Sequence, residues 1–304
     1  MANKLPDSYT TLSFAQIKLS HVPASSPTPT PVILLTLYRP GKHNAFTETM
    51  VQDLTRAFTL LSADPRVRAI VVTGHGSMFC AGADLDSGKG LTFNDTVETH
   101  RDGGGQVTLA IYRCQKPVIA AINGHAVGVG LTMTLPMSIR IASEDAKVGM
   151  VFARRGIVME AISSFFLPKL IGFSRATHLV TTGSVYEATD PLLRELFSEV
   201  LPKEKVLKRA LELADGIAKN TSGMSTQLMK DMMWRNPGTP EETHLLDSRI
   251  LIELFNGKDK KEGIDSFLEK RDPKFTGTME DDAPKAWPWW KDVDVGVPWE
   301  KSKL

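Results

Sequence analysis

Two features of this 304-residue chain could do chemistry. The first is a lone carboxylate. Glu160 stands in the run FARRGIVMEAISSFFLPKLIG (152–172), among Ile157, Val158, Met159, Phe165 and Phe166. A charge in so apolar a run is costly unless it is paired or used. Two readings stand: a proton-transfer group in a low-dielectric site, or a capping or solvent-facing Glu beside Ser163-Ser164. The second feature is the stretch PVIAAINGHAVGVGL (117–131). An apolar run, 118–122, reads as a buried strand, Asn123-Gly124 breaks it, and Gly128 and Gly130 open a second apolar run, 131–137, that reads as a helix. A strand that turns through glycines into a helix offers free backbone N–H groups where the helix dipole favours negative charge. The turn fits either a holder of developing charge or a plain tight connection. Its spacing matches neither the dinucleotide fingerprint nor the phosphate loop with its Lys.

The elements that must position these residues alternate. Strand-like runs at 13–19 and 32–38 flank the Pro- and Ser-rich loop HVPASSPTPTP (21–31). After the turn at 39–43, Asn44 is placed to cap a helix with an apolar stripe at Met50, Val51, Leu54, Ala57, Phe58 and Leu61. A second buried strand, 69–73, leads into another glycine-bearing turn, FCAGADL (79–85). The two strand–turn units, about fifty residues apart, suggest repeated strand–strand–helix turns. Between them, 86–105 is polar and ends Arg101-Asp102-Gly-Gly-Gly, a loop whose Arg101 and Asp102 could face a binding pocket. From Lys203 the pattern is helical alone. The organisation expected is therefore a core over 1–200, a helical subdomain over 201–275 and an irregular tail over 276–304.

Composition removes several classes. A formal net charge of +1 gives no signal for nucleic acid or an anionic membrane, and no apolar run is long enough to span a bilayer. Cys80 and Cys114 are too few for a disulfide scaffold or a zinc site, so no metal is expected. The last residues, Ser302-Lys303-Leu304, match a receptor-read peroxisomal address, which predicts an import receptor as partner and the peroxisome as location.

Four runs, LYRPGKHNAF, VVTGHGSMFCAGADL, KPVIAAINGHAVGVG and EGIDSFLEKRDPKFTG, together resemble the crotonase, or enoyl-CoA hydratase/isomerase, superfamily over about residues 11 to 275. The resemblance implies an α/β fold, a spiral of repeated ββα turns with a C-terminal helical trimerisation subdomain. It also implies a homotrimer or hexamer. The substrate implied is an acyl-CoA thioester, with coenzyme A entering as part of that substrate and no permanently bound cofactor. By position it assigns the oxyanion-hole N–H groups to Ala83 and Val129, the latter where the family usually has a glycine. It lines the thioester with Ala81, Gly82, Asp84, Leu85, Gly128 and Phe152. The two glutamates of the family's hydratases fall here on Thr132 and Phe152, and are absent. Glu160, eight residues beyond Phe152, matches the single catalytic Glu of the family's enoyl-CoA isomerases. One carboxylate suits a 1,3-proton shift, so isomerisation of a 3-enoyl-CoA is expected. A single-Glu hydratase or lyase, and a non-catalytic acyl-CoA-binding relative, are the alternatives.

Overall fold

The structure is a computed structural model that describes residues 5–85 and 95–296. The tail tripeptide and the part of the polar loop at 86–94 lie outside the described residues. The chain divides into two compact units, with the main break between Ala214 and Asp215.

The first unit begins with β1 (Ile17–His21), β2 (Val32–Leu37) and α1 (Glu48–Ala63). It continues with β3 (Ala69–Gly74), β4 (Met78–Cys80), α2 (Gly103–Arg113), β5 (Val118–Ile122), β6 (His125–Val127) and α3 (Val129–Thr132). Next come β7 (Ile139–Ser143), β8 (Lys147–Gly149), α4 (Ser163–Ile171), α5 (Phe173–Thr182), β9 (Val185–Glu187) and β10 (Glu199–Leu201). One sheet has the order β1-β2-β3-β5-β7-β10 and the other β4-β6-β8-β9. The β2-β3, β3-β5, β5-β7 and β7-β10 pairs are parallel. So each repeat, β3/β4, β5/β6 and β7/β8, gives one strand to each sheet before its helix. This is the expected ββα spiral. Every residue of β3 and β5 is buried, as a parallel strand covered on both faces requires. The short strands β4 and β6, three residues each, carry too little pattern to be read from sequence.

Two local expectations are corrected. Thr47, not Asn44, caps α1: its hydroxyl accepts from the Met50 N–H at 3.2 Å. Asn44 is buried with φ +53, a left-handed conformation that Asn tolerates better than most residues. Its amide donates to the carbonyls of His75 (2.9 Å), Met78 (2.9 Å) and Phe79 (3.2 Å) and accepts from the Arg39 N–H (3.0 Å). It therefore ties the turn at 39–46 to the strand entering the glycine turn at 79–85. The helix expected over 131–137 is also shorter, ending at Thr132. Beyond it the chain continues in i→i−3 turns, and the buried Arg140 guanidinium donates to the carbonyls of Thr134 (3.4 Å), Leu135 (3.2 Å) and Met137 (2.6 Å). An unforeseen tertiary donor replaces the α-helical ladder.

Helix α6 (Lys203–Asn220) runs from the first unit into the second, which holds α7 (Gly223–Trp234), α8 (Pro240–Phe255) and α9 (Lys258–Glu269). Its core is Met224, Leu228 and Ile250, against which Trp287 and Trp289 of the following irregular segment pack. The Trp287 indole donates to Asp231 Oδ2 at 3.0 Å, and Trp289 to the Arg235 carbonyl at 2.9 Å. Ile252, Phe267 and Leu268 on this unit stay exposed. Among the described residues no helix is long and apolar enough to cross a membrane, and no His, Cys, Asp or Glu group is arranged to hold a metal.

Replacing Asn44 with Ala strands several buried carbonyls and puts Ala in a left-handed conformation. Asn44→Ala is expected to cost about 2–4 kcal/mol, read as a lowered unfolding midpoint.

Candidate active site

The two glycine-bearing turns meet backbone to backbone. Gly82 has φ +92, and a Cβ there would lie 2.8 Å from the Val127 carbonyl oxygen. A Cβ on Gly130 would overlap the carbonyl oxygen of Cys80. Neither position has room for a side chain, so the paired glycines bring 80–83 against 127–130. Ala83 lies in a parallel bridge with Phe46. The Phe46 N–H donates to the Gly82 carbonyl at 2.8 Å and the Asp84 N–H to the Phe46 carbonyl at 2.9 Å, which leaves the Ala83 N–H on the other edge. Val129 is the first residue of α3, where an N–H has no partner inside the helix. Among the described residues neither the Ala83 nor the Val129 N–H has an acceptor. Two free donors on touching turns can hold an oxygen that gains negative charge.

The other residues expected here divide by role. Asp84 makes an ion pair with Arg39 at 2.8 Å, which braces the turn and takes up the carboxylate. Leu85 is exposed, at the edge of the described residues. Ala81 is half-buried and its N–H donates to the His43 carbonyl at 3.1 Å. The buried Phe152 presents its ring edge to Gly128, 3.9 Å from where a Cβ would stand. An apolar wall thus occupies the place where the resemblance puts the second hydratase Glu.

Glu160 lies in the loop before α4 and reaches α3. Its Oε1 accepts from the Thr132 hydroxyl at 2.6 Å. Thr132 is fully buried, three residues along α3 from Val129, so the carboxyl group and the Val129 donor share one short helix. On its other side the carboxyl group lies against the first turn of α2, where a Cβ on Gly104 would overlap Glu160 Oε2. The loop is strained to bring it there. Ala161 and Ile162 have φ +53 and +55, conformations that cost non-glycine residues about 1–3 kcal/mol each. Two contacts hold them: the Ser163 hydroxyl donates to the Glu160 carbonyl at 2.5 Å, and the Ala161 N–H donates to Asp102 Oδ1 at 3.3 Å. Ser163 therefore anchors the Glu160 backbone, and the side chain turns inward; the capping or solvent-facing alternative does not describe it.

The Glu160 carboxyl is pushed up to about 7: burial raises it, the Thr132 hydrogen bond pulls it down in part, and the nearby Asp102 charge adds to the rise. Burial also pushes the Cys80 thiol up to about 12. A partly buried carboxyl group that titrates near neutrality can both take and return a proton. Asp102 is the residue that sequence reasoning placed only vaguely. Its carboxylate caps α2, accepting from the Gly105 N–H at 2.5 Å, and so stands beside Glu160. The signal was an acid before three glycines: a cap followed by a helix turn with no side chains in the way.

Comparisons with known proteins identify the family. Residues 28–278 match the family model described as enoyl-CoA hydratase/isomerase. An enoyl-CoA hydratase of Alternaria alternata, ACTT3, is 50% identical over 249 residues, covering 82% of this chain and 84% of that protein. A 2,3-dehydroadipyl-CoA hydratase of Escherichia coli is 31% identical over 81% of this chain and 95% of its own. The crystal structure of a probable enoyl-CoA hydratase/isomerase from Mycobacterium abscessus superposes with a TM-score of 0.76 at 32% identity, covering 82% of this chain and 96% of that one. With that fold, that match and an N–H pair beside a near-neutral carboxyl group, the chain belongs to the enoyl-CoA hydratase/isomerase family of the crotonase superfamily, whose members act on acyl-CoA thioesters.

Proposed function

We propose that the protein isomerises a 3-enoyl-CoA to the 2-enoyl-CoA, with Glu160 as the only proton carrier. The thioester acidifies the hydrogens on C2. Glu160 removes one, and the electron pair moves toward the thioester oxygen as a dienolate. The N–H groups of Ala83 and Val129 hold that oxygen, each donor lowering the barrier by about 3–4 kcal/mol in comparable holes. The electrons then return, the double bond moves to C2=C3, and Glu160 delivers the proton to C4. The observation that carries this reading is the pairing of Thr132 with Glu160. Where the family's hydratases have an acid to handle water, this chain has a hydroxyl already committed to the one carboxyl group. Phe152 makes the remaining wall apolar.

Hydration of a 2-enoyl-CoA is the second reading. It is favoured by the hydratase names of relatives about 50% identical and by Asp102 beside Glu160, a second acid near the site.

Incubation with 3-enoyl-CoA and 2-enoyl-CoA of several chain lengths separates the two. The expected result is conversion of the 3-enoyl substrate, with Glu160→Gln lowering kcat/KM by about 10²–10⁴-fold, the usual worth of a general base. Formation of 3-hydroxyacyl-CoA as the main product establishes hydration instead. Full activity in Glu160→Gln removes Glu160 from either mechanism.

Stability should carry the same signature. Glu160 is held near 7, above the 4.5 of an ordinary Glu, so the folded chain keeps a proton that the unfolded chain releases between those values. The favourable contribution is complete below the unfolded value and is lost as pH rises through the folded one, about 3 kcal/mol in all. The unfolding midpoint of Glu160→Gln relative to the parent should therefore rise from pH 5 to pH 8. A difference that stays flat would count against a raised Glu160.

We also propose that a second copy of this chain covers exposed apolar residues of the helical unit, Ile252, Phe267 and Leu268 among them. Native mass spectrometry should find a trimer or hexamer, and Phe267→Asp should shift it toward smaller species.

A further inference from the structure

Glu160 has two neighbours that act on its proton in opposite senses, and they come from different elements. Thr132 approaches from α3. Its hydroxyl has one proton and two acceptors in reach, Glu160 Oε1 at 2.6 Å and the Gly128 carbonyl at 3.3 Å. The Gly128 carbonyl already receives the Thr132 backbone N–H at 3.0 Å, so the hydroxyl proton belongs to the short bond toward Glu160. A hydrogen bond donated to a carboxylate is stronger than one to a neutral group, so it favours the ionised form.

Asp102 approaches from the start of α2. It caps that helix through Gly105 and reaches across to the Ala161 N–H, in the same first turn whose Gly104 lies against the Glu160 carboxyl group. Its charge beside a second carboxylate favours the protonated form. Among the described residues, Cys80 on β4 also interacts with the Glu160 charge. Its thiol, pushed up to about 12, carries no charge at working pH.

We infer that Thr132 and Asp102 are paired positioning residues: the Thr132 hydroxyl holds Glu160 ready as a base, the Asp102 charge holds it ready as an acid, and their balance sets the pH at which it shuttles a proton. The inference rests on Glu160 being the proton carrier, and it applies equally to isomerisation and hydration. It gives Thr132 a purpose of its own at a position where the family's hydratases place a catalytic Glu. A base that must also return its proton works best when neither form dominates, and the Thr132 hydrogen bond supplies the pull toward the ionised form against burial and the Asp102 charge, which both favour the acid.

The test uses the full chain and three variants: Thr132→Val, Thr132→Ser and Asp102→Asn. Asn keeps the capping oxygen while removing the charge. Two readouts are taken: the pH dependence of kcat/KM on the enoyl-CoA that the parent turns over, and the pH titration of the carboxyl infrared band that disappears in Glu160→Gln. Thr132→Val should move both midpoints up by about one pH unit. Thr132→Ser should leave them near the parent value, and Asp102→Asn should move them down. Midpoints that stay put while activity falls, or that move the same way in Thr132→Val and Asp102→Asn, overturn the inference. If Thr132→Val does not fold, a midpoint in Asp102→Asn that fails to drop overturns it alone. Normal turnover by Glu160→Gln would sink the catalytic reading, while the infrared midpoints would still judge this one.

Discussion

The contact between the two glycine turns is the constraint on which the site depends. A backbone donor can be shared between two turns only if their main chains touch, and the carbonyl oxygens of Val127 and Cys80 leave no space for a Cβ on Gly82 or Gly130. Much of the first unit serves that approach. The parallel strands β3 and β5 run side by side and bring the chain out at the same end of the sheet. Their continuations, β4 and β6, pair in the second sheet and deliver the turns to each other. Asn44 and the Arg39–Asp84 ion pair then fasten the first turn to the segment at 39–46. Rigid backbone donors need no reorganisation when charge develops, which gives such holes their effect.

Strain at Ala161 and Ile162 is the counterpart on the acid side. Two successive left-handed residues would relax if the loop were free. They persist because Ser163 and Asp102 hold the peptide between Glu160 and Ala161 from its carbonyl and its N–H, and because Gly104 lets α2 come close. The carboxyl group is thereby fixed in a partly buried position where its proton affinity rises. A Glu on a relaxed, solvated loop would stay ionised at neutral pH and would be a weak base.

The fold was legible in the sequence because its signals are long and local: buried apolar strands at 69–74 and 118–122, the α1 stripe, and a purely helical end. The three-residue strands β4 and β6 were not, since pairing rather than pattern defines them. The positions of Glu160, Ala83 and Val129 came from a lone acid in an apolar run and from motifs. What those residues meet did not. Asn44 looked like a cap because its type and place before a helix fit one, yet the carbonyls to which it donates lie more than thirty residues away. The helix after Gly130 ends early because Arg140 supplies donors that no local pattern reveals. Thr132 was read as an absence, the missing hydratase acid, when its hydroxyl is bonded to the acid that remains.

That bond bears on which reaction such a site favours. Adding water requires a group to orient the oxygen, a group to take its proton and a donor to the carbon framework. With Phe152 as a wall and Thr132 already engaged, Glu160 has few partners with which to fix a water in place. A proton shift within one substrate needs none. The proton leaves one carbon and returns to another two bonds away, both within reach of a single carboxyl group held near neutrality, while the charge rests on backbone donors. An apolar wall then serves the reaction, since excluding water lowers the dielectric around the enolate and protects it from stray protonation. Asp102 is the counterweight to this argument: a second carboxylate beside the first is what a hydratase would use. Its carboxylate, however, is occupied by the N–H groups of Gly105 and Ala161, which makes it a support for Glu160 before it is a partner for water.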